Sequence, residues 1–147
     1  MNLNNTLHFD IRELTDFKER IKKLSHDNFT RFLSRETNKL ATRLMKDAVK
    51  FTPVGHYPTK SGKQGGTLKG GWRKTGATPT TLTANVFNST EYAMYVEYGH
   101  RTRGSAKWVE GQAMLGKAEY EMMYGKNSVM DIISADLDRF IQKMMEE

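Results

Sequence analysis

The chain has 147 residues, no cysteine, 37% hydrophobic residues and a formal net charge of +6. Its length fits one domain over residues 1–147, and the absence of cysteine excludes disulfides and thiolate zinc sites. A mean hydropathy of −0.67 is on the polar side for a globular domain, so we expect neighbouring molecules to complete part of the packing.

The N-terminal third is predicted to be helical. Asp10 and Glu13 resemble a capping box, and the apolar residues that follow predict a first helix over 11–24. A second helix is predicted from about 27 to 51. Its apolar stripe consists of Phe29, Leu33, Leu40, Leu44, Ala48 and Phe51. Thr52-Pro53 ends this helix, because the residue before a proline is disfavoured in the helical region.

The middle of the chain is predicted to be a loop followed by a hairpin. Residues 54–66 contain four glycines, one proline and no apolar periodicity, which predicts a flexible Gly/Lys loop. Residues 67–75 and 81–87 are predicted to be the two strands of an antiparallel hairpin, with the turn at 76–80. A further short strand is predicted at 107–110.

The last third returns to helical periodicity. Residues 91–98 fit either a strand or two helical turns, whereas 112–124 predict a helix with one apolar side. Gly125-Lys126-Asn127 interrupts this helix, and Ser128 with Asp131 starts an amphipathic C-terminal helix. The predicted fold is therefore α+β, with N-terminal helices, a small antiparallel sheet and C-terminal helices packed on one sheet face.

Charge is distributed unevenly along the chain. Residues 51–80 contain five basic and no acidic side chains, and residues 111–147 contain four basic and seven acidic ones. On the second helix, six cations fall on one side, opposite the predicted apolar stripe. We call this set the basic ridge: Arg31, Arg35, Lys39, Arg43, Lys46 and Lys50. It is interpreted as a solvated helix face or as a surface near DNA phosphates.

Five more cations extend the possible DNA-facing or interface set. They are Lys60, Lys63, Lys69, Arg73 and Lys74. Tyr57 and Trp72 have the ring type that stacks on bases, but a Trp in an alternating strand is more often a core residue. Nothing in this set of cations and aromatic residues indicates sequence-specific contact with the edges of bases.

Motifs for catalysis or metal binding are weak. The segment from Gly55 to Gln64 differs from a P-loop, because six residues separate its glycines and Gln64 follows Lys63. Glu97 and His100 have the spacing of a metal pair on a helix, but Gly99 lies between them and the pattern occurs once. We interpret both as structural, and we expect no enzymatic activity, no cofactor and no metal.

Several short motifs follow one another in an order typical of one family. Pro53 precedes Gly66-Thr67-Leu68, an alternating strand ends at Asn88, and Tyr-Ala-x-Tyr-Val-Glu-x-Gly-His follows over 92–100. Over roughly residues 30–145 this order resembles the tail-completion, or head-tail joining, proteins of tailed bacteriophages. The matching residues are Pro53, Gly66, Leu68, Tyr92, Ala93, Tyr95, Glu97, Gly99 and His100. The interval from Pro53 to Leu68 departs from the family pattern by an insert around 56–65.

The resemblance implies a structural virion protein of the phage neck or tail, made in the host cytoplasm. It implies a ring, by resemblance a hexamer, at the head-proximal end of the tail, which joins the tail to the head and leaves a DNA channel. The implied neighbours are tail terminator, tail tube and head-closure or connector proteins, with non-specific contact to genomic DNA. The resemblance also favours a helix for 91–98. Membrane contact is not expected, since no apolar run reaches the ~18 residues of a membrane span.

Two further expectations complete the sequence reading. A competing hypothesis is a small, basic, non-sequence-specific nucleic-acid-binding protein that uses the basic ridge. For the ring, we expect the basic half of one copy to contact the acidic C-terminal half of the next, because a ring of more than two members needs two complementary patches. The predicted apolar interface residues are Met94, Tyr98, Phe140, Ile141, Met144 and Met145.

Overall fold

The computed structural model describes residues 15, 18, 19, 22 and 26–146. The four isolated residues are helical, and Lys22 forms an ion pair with Glu19 at 2.8 Å. The rest of the predicted helix over 11–24, including its capping box, lies outside the described residues. Within the described residues, no helix is both long and apolar enough to cross a membrane.

Helix α1 (His26–Phe51) confirms the long predicted helix. Asp27 in its first turn and Lys50 in its last turn complement the helix dipole. Phe32 lies outside the predicted apolar stripe but is only 2% exposed. The predicted stripe omits Phe32 because two different parts of the fold cover α1. The core residues around Trp72 and Met114 pack on its C-terminal half, and Phe140 packs on Phe32 near its N-terminus.

The segment after α1 departs from the predicted loop and strand in one respect. The loop over 54–66 contains a single 3-10 turn, and its two ends meet, since a Cβ on Gly65 would lie 2.0 Å from the Gly55 carbonyl oxygen. Residues Thr67–Gly70 form one helical turn, α2, where a strand was predicted. The turn forms because Gly66 adopts a φ of 104° and its carbonyl accepts the Gly70 N–H at 2.9 Å.

Two short antiparallel hairpins replace the single predicted sheet. The first pairs β1 (Trp72–Lys74) with β2 (Val86–Asn88), and Arg73 lies opposite Phe87. The second pairs β3 (Gly99–Arg101) with β4 (Trp108–Glu110), and His100 lies opposite Val109. The α+β class is confirmed, with strands shorter than predicted.

Three helices complete the fold. Helix α3 (Ala93–Tyr98) connects the hairpins and resolves the ambiguity at 91–98 in favour of helix. Helices α4 (Met114–Tyr124) and α5 (Val129–Glu146) agree closely with the predicted C-terminal helices. The main partner of α4 is α1, whose C-terminal half also packs on the first hairpin. The core thus lies between α1, α4 and that hairpin.

The buried core is small and centres on Trp72. It contains Ala48, Leu68, Trp72, Met114 and Ala118. The Trp72 indole Nε1 donates to the Thr52 hydroxyl at 2.8 Å, and that hydroxyl donates to the Ala48 carbonyl at 2.6 Å. Thr52 is 4% exposed, so the residue that ends α1 also satisfies the buried indole.

A second polar contact attaches the hairpin connection to α1. The Asn38 side-chain amide donates to the Ala77 carbonyl and accepts the Ala77 N–H, both at 2.8 Å. The amide therefore pairs with the backbone as a neighbouring strand would. This contact fixes the connection between β1 and β2 against the middle of the long helix.

Thr52→Val is expected to lower the free energy of unfolding by about 1–3 kcal/mol, because it leaves the Trp72 N–H buried without an acceptor. Chemical denaturation measures this change. Thr80→Val is the matched control, since Thr80 is exposed and an exposed substitution changes stability by about 0.5 kcal/mol or less. Equal stability of the two variants would contradict the role assigned to the Thr52 hydroxyl.

Candidate functional site

The family segment over 92–100 has an inner and an outer side. Ala93 and Val96 pack against the core cluster. On the other side, Met94 is 62% exposed and Tyr98 is 74% exposed, and Tyr95 is exposed as well. The helix is thus anchored through small and β-branched residues while its large side chains face outward.

Glu97 caps the N-terminus of α4. Its carboxylate accepts the N–H groups of Leu115 at 3.0 Å and Gly116 at 3.1 Å. Such N–H groups lack a partner within the helix and carry partial positive charge, and Ala113 at the cap position has no side-chain acceptor. The backbone adds to this contact, because the Val96 carbonyl accepts the Gln112 N–H at 2.7 Å. Both carboxylate oxygens therefore have a structural use.

Two glycines allow the chain to pass close to itself beside this cap. Gly99 has a φ of 88°, and a Cβ there would lie 2.6 Å from the Val109 carbonyl oxygen. A Cβ on Gly111 would lie 2.3 Å from the Glu97 carbonyl oxygen. Neither position accommodates a larger residue without displacement of backbone, which explains the glycine of the Glu-x-Gly-His motif.

His100 is half-buried beside this crossing. Its ring lies edge-on to Tyr95 with a centroid distance of 6.0 Å, and its Nδ1 is buried without a hydrogen-bond partner in the described part of the chain. Within residues 26–146 and the four described residues before them, no group of three or more His, Asp or Glu side chains is arranged to hold a metal ion.

One exposed surface surrounds the second hairpin. We call it the hairpin face and define it by Met94, Tyr98, Arg101, Arg103, Lys107 and Trp108. Trp108 is half exposed and its ring lies over Gly99. The three cations are exposed, and in the described part of the chain none of them has an ion-pair partner. Residues 99–109 contain no acidic side chain.

A second exposed surface runs along the outside of α4. We call it the α4 outer stripe and define it by Tyr120, Met123 and Tyr124. Tyr120 is 66% and Tyr124 73% exposed, and their rings lie 5.1 Å apart. The opposite side of the same helix carries Met114 and Ala118, which are fully buried. Helix α4 therefore carries apolar or aromatic side chains on two sides. The core covers the side with Met114 and Ala118, and the side with the α4 outer stripe is exposed.

The basic ridge is divided by the structure. Arg31, Arg35, Lys46 and Lys50 are exposed. Lys39 forms an ion pair with Asp136 of α5. Arg43 is half-buried and donates to the carbonyls of Asn127 and Lys126 in the α4–α5 turn. The ridge is thus not one solvated face, because α5 and the turn before it lie along part of it.

Two carboxyl groups meet where α5 crosses α1. Glu36, 7% exposed, lies 3.7 Å from Lys39, and its Oε2 has no hydrogen-bond partner among the described residues. Arg139 holds the other side of Asp136 at 2.6 Å. These residues line a groove of about 620 Å³ between the two helices. Since Asp136 is already paired with two cations, the arrangement has the form of an ion-pair network.

The environment shifts the ionisation of these groups in opposite directions. Burial, and then the adjacent Asp136 carboxylate, raise the pKa of Glu36 above its ordinary value. The Lys39 ammonium is the main cause of a lowered pKa of Asp136. The pKa of Lys39 is raised by the same contact. The stable form thus has one ionised carboxylate shared by cations beside a second carboxyl that resists ionisation.

The other predicted cations lie on the surface around the first hairpin and the loop. Lys60, Lys69 and Lys74 are exposed. Lys63 lies 5.9 Å from the centre of the Tyr57 ring, and Arg73 donates to the carbonyls of Gly70 and Trp72. Among the described residues, no contact joins these cations to the basic ridge, so the two sets do not form one site.

The remaining predicted residues divide between packing and surface. Pro53 and Tyr92 are exposed, and Leu68 belongs to the core. Phe140 stacks on Phe32 at 4.6 Å, so it serves the contact between α5 and α1. Met144 is half-buried. Of the four residues predicted to form an interface on the last helix, Ile141 and Met145 are exposed.

Several residues of these surfaces were missed by sequence reasoning. Trp108 and the three cations of the hairpin face were not selected, although the basic run over 101–107 without acidic residues was a visible signal. Tyr120, Met123 and Tyr124 show i, i+3, i+4 spacing, which identifies a shared helix side. Sequence alone does not say that this side is the uncovered one.

Glu97→Ala is expected to lower the free energy of unfolding by about 0.5–2 kcal/mol, the usual effect of losing a helix N-cap. Hydrogen exchange should show the largest loss of protection at the first turn of α4. Glu91→Ala, at an exposed position two residues before α3, serves as the control. Unchanged protection of the Leu115 and Gly116 amides would contradict the capping role.

Glu36→Gln is expected to make the folded protein more stable at pH 7. The folded-state pKa of Glu36 lies above 4.5, so its contribution to stability is present at low pH and is lost as the pH rises through that pKa. The difference between variant and wild type should therefore narrow as the pH falls to 4.5. Denaturant titrations at several pH values measure it, with Glu110→Gln as the exposed control. A variant less stable than the wild type at pH 7 would refute the assignment.

Comparison with known proteins identifies the family. A family model described as "Bacteriophage HK97-gp10, putative tail-component" matches residues 15–99, more than half of the chain. The matched segment includes α1, the first hairpin and α3 with Glu97 and Gly99. No curated protein and no solved structure matches the chain. The chain belongs to the HK97-gp10-like family of bacteriophage proteins and is a structural component of the phage tail.

Proposed function

We propose that this protein forms a ring at the head-proximal end of the tail, completes the tail and joins it to the head. One observation carries the proposal: the segment Tyr92 to Gly99, inside the family match, is anchored in the core through Ala93 and Val96 and exposes Met94, Tyr95 and Tyr98 on the other side. Exposed apolar groups of this size mark protein–protein contact surfaces.

The proposed assembly surrounds a channel through which DNA leaves the head. A ring requires two different patches on each copy, and this chain exposes large apolar side chains on two different surfaces, the hairpin face and the α4 outer stripe. The proposed partners are further copies, in a hexamer, together with tail terminator, tail tube and head-closure or connector proteins. Contact with DNA is non-specific and uses exposed cations.

The proposed role is not catalytic. Two of the described carboxylates illustrate this, because their contacts are structural: Glu97 accepts two backbone N–H groups, and Asp136 is paired with Lys39 and Arg139. Such contacts hold helices in place.

The alternative function is a free nucleic-acid-binding protein. It is favoured by the exposed cations Arg101, Arg103 and Lys107 of the hairpin face, for which the described residues supply no ion-pair partner. The alternative requires that the isolated chain bind DNA in solution, with an affinity that falls steeply with salt.

The proposal predicts that phage lacking this protein accumulates filled heads and finished tails that remain separate. Electron microscopy of lysates measures the joined fraction, and expression of the wild-type chain from a plasmid should restore it. Antibody or gold labelling of complemented particles should mark the head-proximal end of the tail. Normally joined particles without the protein, or label at the distal tail tip, would overturn the proposed function.

A further inference from the structure

We infer that the end of the second hairpin contacts DNA phosphates without regard to base sequence. We call residues 101–107 the hairpin tip. The inference rests on the proposed function, in which DNA passes through the assembled tail, and it names the element that meets the DNA. It differs from the expectation from sequence, in which the basic ridge and the cations over 60–74 faced DNA.

The second hairpin stands out from the rest of the domain. Its two strands pair with each other, and among the described elements α3 is the main one that packs on them. Every residue from Arg103 to Glu110 is exposed. The hairpin is therefore an arm that is held at its base and leaves its far end open to a partner.

The hairpin tip has a fixed shape. The Thr102 N–H donates to the Lys107 carbonyl at 2.9 Å, which extends the strand pairing by one step. The Thr102 hydroxyl lies within hydrogen-bond distance of the Ser105 hydroxyl and of the same carbonyl. A preorganised surface binds a partner at lower entropic cost than a mobile one. Because these contacts occupy both hydroxyls, the tip has little capacity to read base edges.

The charge of the hairpin tip fits a polyanion. Its cations are Arg101, Arg103 and Lys107. All three are exposed, and the described residues provide none of them with an ion-pair partner. The acidic residues that flank the tip in sequence are Glu97, which caps α4, and Glu110, which lies opposite Gly99 at the base of the hairpin. Residues 99–110 therefore carry a net charge of +2, and all of the positive charge is at the tip.

The cations lie on both faces of the arm. Arg101 is paired with Trp108 and shares its face, whereas Lys107 lies on the other face because side chains alternate along a strand. Arg103 lies in the turn between them. A flat acidic protein surface meets only one face of such a ribbon. The major groove of DNA admits a two-stranded ribbon and has phosphates on both sides, so all three cations reach phosphates there.

The other basic regions are engaged by the protein itself. On the basic ridge, Lys39 is paired with Asp136, and Arg43 donates to backbone carbonyls of the α4–α5 turn. Over 60–74, Lys63 lies against the Tyr57 ring, and Arg73 donates to two carbonyls. The hairpin tip is thus the compact set of cations for which the described residues supply no contact of this kind.

Binding of the isolated chain to a short fluorescent duplex, measured by anisotropy at several salt concentrations, tests the contact. The variant with Arg101→Gln, Arg103→Gln and Lys107→Gln should reduce the slope of log affinity against log salt concentration by about two to three, since each phosphate contact contributes about 0.9. Arg101→Lys with Arg103→Lys keeps the charge and should retain the wild-type slope. Duplexes of unrelated sequence should bind equally well.

A matched control removes the same charge from other exposed positions. It combines Lys46→Gln, Lys60→Gln and Lys69→Gln. This variant should keep a slope close to that of the wild type. An equal reduction in both triple variants would reveal an effect of net charge alone and overturn the inference. An unchanged slope in the hairpin variant, or a preference for one duplex sequence, would overturn it as well.

Photo-cross-linking tests the contact in the assembled particle and does not depend on the charge variants. A photoreactive amino acid replaces Ala106 in the hairpin tip or Thr80, both of which are exposed. Joined particles that contain either variant are irradiated while DNA release is triggered. Position 106 should give adducts with DNA, and position 80 should give none.

The outcomes separate the inference from the proposed function. Adducts of position 106 with protein only, or equal DNA adducts from both positions, would overturn the inference and leave the joining role standing. Joined particles that lack the protein altogether would instead overturn the proposed function.

Discussion

The Glu97 carboxylate at the start of α4 is the contact on which the arrangement of this domain depends. It joins α3 to α4 across the whole second hairpin, and the crossing of Gly99 and Gly111 is possible because neither has a side chain. Helix α4 in turn supplies Met114 and Ala118 to the core beside Trp72. A polar contact of one residue thus sets the position of an apolar helix, and with it the position of both exposed surfaces.

The two C-terminal helices are attached to α1 by different kinds of contact. Helix α4 is held by apolar packing, whereas α5 is held by the Phe32–Phe140 stack and by the network of Glu36, Lys39 and Asp136. Ion pairs with partly buried members define geometry more than they add stability, since desolvation offsets most of their attraction. We infer that the network fixes the orientation of α5 rather than providing most of the energy that holds it.

Much of the fold followed from local sequence rules. Apolar periodicity and Pro53 gave the long helix to within one residue at its start, and the turn signals located α4 and α5. The helical turn at Thr67–Gly70 was missed because Thr and Leu spacing there also fits a strand and the φ of Gly66 is not visible in sequence. The basic ridge was misjudged as one face because the partner of Lys39 is 97 residues away. Contacts at such separation, including those of Asn38 and Thr52, leave no periodic signal.

The closed stem of the 54–66 loop shows how this chain accommodates extra sequence. Because Gly55 and Gly65 lie against each other, the residues between them form a side branch whose length is decoupled from the distance between α1 and α2. Doubling the length of such a branch costs only about 0.6 kcal/mol in closure entropy. Added length between Gly55 and Gly65 therefore does not change the distance that the chain spans from α1 to α2, and an insertion there leaves the core and the exposed surfaces of the domain in place.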